Sequence, residues 1–164
     1  MEECTPQSQL EEHKWLQQLL GNWTMEGEAV MGPDQPPIKS TGKESVRTLG
    51  GIWFLGEGEM TMPDGDPATT LITLGYDPKK GKYIGTWVGS MMNHLWIYSG
   101  TMSDDKKTLM LDAEGESMAG DGTIALYRDS ITIVDADHRT LTSQVRDDKG
   151  NWTQFMETRY TRVK

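Results

Sequence analysis

The chain has 164 residues, of which 35% are hydrophobic and 25% charged, and carries a formal net charge of −9 at pH 7. That length suits a single domain, 1–164, with its own core, and the acidic balance argues against nucleic acid or an anionic membrane as partner, since both repel negative charge. No apolar run approaches a signal-peptide core or a membrane span, and the lone Cys4 has no partner for an internal disulfide, so a reducing, cytoplasmic home is expected.

"TPQSQLEEHKWLQQLLG" predicts a helix over 6–20. Thr5 is placed to cap it, Pro6 suits its first position, Glu11 and Glu12 sit early, and Gly21 stops the run. Leu10, His13, Leu16, Leu19 and Leu20 recur at helical spacing, which makes His13 a packed or surface residue rather than a ligand. Trp15 lies off the centre of that stripe, where it covers an opening or faces a partner, leaving a homodimer open.

From 22 to 163 the period changes to two. Segments such as "NWTMEGEAVMG", "IWFLGEGEM", "TTLITLGYD", "KYIGTWVGSM", "ALYRDSITIVD" and "NWTQFMETRYTRV" are separated by turn-rich pieces such as "MPDGDP", "DPKKGK", "SDDKK" and "RDDKGN". About ten strands in short antiparallel connections are predicted. Closing them into an up-and-down barrel removes the sheet edges, with a sandwich as the alternative. Long strands, a single preceding helix and glycines inside strands favour the barrel.

In "GKYIGTWVGSMMNHLWIYSG" one face of the strand reads Tyr83, Gly85, Trp87, Gly89, Met91. Rings beside bare glycines predict local space. Together with Trp96 or Tyr98 from the next strand they would form an apolar wall with hydrogen-bonding tips, the usual make-up of a small-molecule pocket. In the competing reading the rings fill the bore and the glycines relieve curvature. Arg47, Arg128, Arg159 and Arg162 lie within strands, and an arginine facing the interior needs an anion or a carboxylate, because its bare charge is costly to bury. For Arg162 the alternatives are an ion pair with Glu157 or a structural contact. His13, His94 and His138 lack metal-ligand spacing, so no metal is expected. The 11 methionines read as adaptable packing rather than a copper(I) site. There is no nucleophile elbow or phosphate loop, and "GEGEM" and "AEGES" precede no helix.

"GNW" at 21–23, after a helix, resembles the opening of the lipocalin or calycin superfamily. That resemblance implies that Trp23 packs against an arginine of the last strand, Arg159 or Arg162, and closes one barrel end. "RTLGG" at 47–51, "LGYDPKKGKYIGTW" at 74–87, "DADHRT" at 135–140 and "METRYTR" at 156–162 extend it over almost the whole chain. Together they resemble the uncharacterised family numbered fifteen-seventy-nine among the domains of unknown function, which implies a calycin-like barrel and no established reaction. In that pattern an acidic residue is expected two places after the tryptophan of "GTW", where this chain has Gly89. The related nitrobindins suggest His94 as an axial haem ligand; the simpler reading is a rim histidine bonded to backbone. Fatty-acid-binding barrels suggest that Tyr160 and a nearby arginine could hold a ligand's anionic end.

The function expected from the sequence is a lipocalin-like binding barrel for a small, mainly apolar or amphipathic molecule, with an anionic end as one option. Its site residues would be Arg47, Tyr83, Trp87, Met91, His94, Trp96, Arg128 and Tyr160, with no cofactor. The alternatives are an isomerase or cyclase using the same cavity, less favoured, and a non-catalytic interaction protein with a filled barrel.

Overall fold

The computed structural model describes residues 8–30, 32 and 34–164. A short helix α1 (Glu11–Leu16) and a 3-10 turn (Gln17–Leu19) lead into ten strands. These are β1 (Gly21–Ala29), β2 (Ile38–Leu49), β3 (Trp53–Thr61), β4 (Pro67–Asp77), β5 (Lys82–Gly89), β6 (Trp96–Met102), β7 (Thr108–Glu116), β8 (Ile124–Asp135), β9 (His138–Arg146) and β10 (Trp152–Arg162). Each pairs antiparallel with its chain neighbour, and β1 closes onto β10, giving an all-β up-and-down barrel with no free sheet edge.

The helix is shorter than the 6–20 expected, and Thr5 and Pro6 lie outside the described residues. Its start is set at Leu10, whose backbone N–H donates to His13 Nδ1 at 2.9 Å, so His13 is a buried cap. Its end tightens because the last carbonyls are taken by distant side chains. Trp23 Nε1 donates to the Leu19 carbonyl at 2.9 Å, and Arg162 donates to the carbonyls of Gln18 (3.0 Å) and Leu20 (2.5 Å). Gly21 then turns the chain at φ 116°, and a Cβ there would meet Arg162 Nη1 at 2.7 Å.

The helix covers one end of the barrel. Trp15 Nε1 donates to the Lys106 carbonyl in the β6–β7 turn at 2.6 Å, and its ring meets Tyr83 edge-on at 6.5 Å, so Trp15 closes an opening within its own chain. The interior toward this end holds the most completely buried side chains, Leu16, Trp23, Phe54, Leu74, Leu109, Leu111 and Ile131. Burying each is worth roughly 1.5–3 kcal/mol, so this end anchors the fold. At the opposite rim lie the loops that follow β1, β3, β5, β7 and β9.

The registers fix which side chains face in. Ile72 pairs with Trp87, Trp87 with Trp96, and Leu111 with Asp129, placing these residues in the interior together with Tyr83, Gly85 and Gly89. The glycines do not leave the space that the sequence suggested. A Cβ at Gly89 would meet the Trp87 ring at 2.7 Å, and one at Gly115 would meet the Trp96 ring at 2.3 Å. The rings occupy the room that the glycines vacate.

Candidate functional site

Trp23 organises the closed end. Its ring lies between two guanidinium groups, with Arg162 at 4.2 Å and Arg139 at 4.6 Å from the centroid. Arg162 is therefore the arginine of the last strand that packs on Trp23. Arg159 is exposed on the outer face, three register positions away and opposite Glu26. Arg139 also stacks on Tyr160 at 3.9 Å and pairs with Glu44 at 2.5 Å, both members of the pair being buried. Arg139 Nε has no partner among the described residues. Glu44, Arg139, Tyr160, Ile72, Trp87 and Leu141 line an internal cavity of about 30 Å³. That holds about one water, not a ring-sized guest. Burial, followed by the charge of Glu44, pushes the Tyr160 hydroxyl well above the usual tyrosine range.

A second polar group lies nearer the open rim. Asp129 Oδ2 accepts from the Tyr98 hydroxyl at 2.5 Å, and Oδ1 accepts from Ser143 Oγ at 2.6 Å. Burial raises the Asp129 carboxyl above its ordinary value despite these two donors, and burial followed by the Asp129 charge raises Tyr98. Asp129 faces inward yet keeps some accessible surface, as do Ile72, Trp87, Trp96 and Leu141. Phe54, Leu74 and Leu111, nearer the helix, keep almost none.

Rings frame this half. Trp96 meets Tyr127 edge-on at 5.1 Å, and Tyr127 meets Phe155 at 6.1 Å. The Tyr127 hydroxyl donates to the Glu116 carbonyl at 2.6 Å, holding the ring at the wall. Met91, Met92 and Leu95 in the loop after β5 are exposed beside the mouth.

Of the residues expected at the site, Trp87, Trp96 and Tyr160 share the interior. Tyr83 faces in but sits under the helix, 5.0 Å from Tyr76, and burial followed by Glu12 and Tyr76 pushes its hydroxyl up to about 12. Met91 lies in the rim loop, not on the strand face, because β5 ends at Gly89. His94 is in the same loop, its Nε2 at 3.0 Å from the Glu114 carbonyl and its ring 4.5 Å from Trp96, as the rim reading expects. The two arginines expected inside are outside. Arg47 pairs with Glu57 at 3.0 Å on the exposed wall. Arg128 pairs with Asp112 through two bonds, at 2.7 and 3.1 Å, and stacks on Trp152 at 4.4 Å. Side-chain alternation sends them out, because Val46 and Asp129, their chain neighbours, point in.

Glu44, Arg139, Asp129 and Ser143 were missed by sequence reasoning. The available signal was a single charge in an otherwise apolar alternate file: Asp129 in Tyr127, Asp129, Ile131, and Arg139 in Arg139, Leu141, Ser143, Val145. Gly89, where the resemblance implies an acid, lies against the Trp87 ring and supplies no carboxylate. A larger hollow, about 910 Å³, lies mainly on the outer wall of β1 to β5, bordered by Asn22, Lys43, Glu57, Glu59 and Val88 among others. Lys43 and Glu59 pair there at 3.3 Å, so it is an open, solvated surface of satisfied charges.

The family model described as "Protein of unknown function (DUF1579)" matches residues 8–162. No curated protein matches the chain. Among solved structures, Rv2717c from M. tuberculosis is 17% identical, with a TM-score of 0.68 over 96% of this chain and 100% of that one. The barrel EF1p2_mFAP2b bound to DFHBI is 14% identical, with a TM-score of 0.49 over 92% of this chain and 98% of that one. A redesigned barrel, mFAP1, also bound to DFHBI, is 15% identical, with a TM-score of 0.48 over 89% and 96%.

Proposed function

Because the chain belongs to the DUF1579 family, whose description assigns no role, we propose a function from the chemistry of its own calycin-like barrel: it binds a small, mainly apolar molecule in the rim half of the interior. The observation that carries this reading is that inward-facing Trp87, Trp96 and Ile72 keep accessible surface, whereas Phe54, Leu74, Leu109 and Leu111, nearer the helix, keep almost none. Ring faces that keep accessible surface suit an apolar guest entering at the mouth. The Glu44–Arg139 pair and its water-sized cavity, which Trp87 and Ile72 also border, form the floor of this half.

Calorimetric titration with neutral 1-naphthylmethanol tests the reading. Saturable binding is expected, weakened about tenfold or more in Trp96→Ala, since an aromatic wall of this kind contributes on the order of 1–2 kcal/mol. No saturable binding to the unaltered protein would contradict it.

The small volume of the enclosed cavity favours a second reading, a barrel filled by its own side chains that acts as an interaction protein. The same titration separates the two. Acid–base chemistry inside the barrel would need an Asp, Glu or His there, and Asp129 and Glu44 supply carboxyl groups for it.

A further inference from the structure

We propose that the rim half of the barrel selects an organic cation, an ammonium group on an apolar or aromatic body, with Asp129 as its counter-charge. This rests on the proposed binding role and fixes the class of ligand. Asp129 sits inward between Leu111 and Ser143 in the register of β7, β8 and β9. Its two hydrogen bonds come from neutral hydroxyls, Tyr98 and Ser143, and no cation among the described residues reaches ion-pair distance. Each carboxylate oxygen has a further lone pair to offer. Arg128, its neighbour in the chain, points to the other side of the wall and is committed to Asp112.

The charge inside the barrel is therefore unbalanced. Glu44 and Arg139 cancel one another, and the Asp129 carboxylate remains. An anionic guest would meet that charge in a low-dielectric setting and be repelled, while an ammonium would be attracted. Trp96 and Tyr127 lie one inward position nearer the rim than Tyr98 and Asp129 on the same two strands, so a cation entering past them meets ring faces before the carboxylate. The net charge of −9 steers in the same direction. This replaces the anionic ligand end expected from the sequence, whose arginines lie outside the wall.

The test compares three probes with one ring system on the unaltered protein at low salt: 1-naphthylmethylammonium, neutral 1-naphthylmethanol and 1-naphthoate. The ammonium is expected to bind about tenfold more tightly than the alcohol, a difference of about 1.4 kcal/mol, and the carboxylate most weakly. Asp129→Asn should erase the ammonium's advantage over the alcohol, and Arg128→Gln, on the outer face of the same strand, should keep it. Equal binding of ammonium and alcohol, or tighter binding of the carboxylate, would overturn the inference and leave the binding role standing. Binding of none of the three would overturn both. The comparison on the unaltered protein does not depend on whether a variant folds.

Discussion

Asp129 and Arg128 are adjacent, yet one faces the interior and the other the solvent side, and much of the site turns on that parity. The Asp129 carboxyl is raised by burial, so its protonated form is the better fitted to the folded state. Its contribution to stability is present below the ordinary aspartate pKa and is lost as pH rises through the raised value. Asp129→Asn keeps an oxygen acceptor without the charge, and is expected to stabilise the protein at neutral pH and to flatten stability between acid and neutral pH. Thermal melts from pH 4 to 8 check this; a variant uniformly less stable across that range would contradict it. Glu44 tells the opposite story. Removing it leaves the buried Arg139 uncompensated, so Glu44→Leu should cost about 3–5 kcal/mol, and adding Arg139→Met should recover most of that loss. Chemical denaturation of both variants measures the difference. Neither role was legible at the level of composition, because a charge in a strand reads as outward until the register of its neighbours is known.

At the scale of elements, period-two alternation and turn residues made the strands readable. The Tyr83, Gly85, Trp87, Gly89 face is inward as expected, since each strand's period leaves only two choices. The helix was less readable because its bounds are set by residues far away in sequence. Arg162 takes the carbonyls of Gln18, Leu20 and Ala136 in one fork, holding the 3-10 turn and the last loop against the barrel. Arg162→Ala is thus expected to cost about 2–4 kcal/mol through three lost charge-assisted bonds and the Trp23 contact. Hydrogen exchange over residues 11–20 should rise more than in β7 and β8; uniform change, or none, would show that the helix is held by its apolar contacts alone. The glycine spacing misled about space, because alternation shows which way a residue points and not what its neighbours place over it.

For the whole molecule, the barrel is asymmetric from end to end. Under the helix, Trp23, Phe54, Leu74 and Leu109 are sealed, and the guanidinium groups of Arg139 and Arg162 clamp the tryptophan. Toward the rim, Trp87, Trp96 and the Asp129 carboxylate face inward and keep some accessible surface. On the proposed binding role, a substitution at Trp23 should act on folding and one at Trp96 on binding. The chain holds six tryptophans, at 15, 23, 53, 87, 96 and 152, each with an indole N–H that reports on its surroundings. Following those six signals by nuclear magnetic resonance while 1-naphthylmethanol is added shows where the guest sits. Saturable shifts of Trp87 and Trp96 are expected, with Trp15, Trp23, Trp53 and Trp152 nearly still. Signals that do not move, or movement confined to Trp53 and Trp152, would contradict binding in the rim half of the interior.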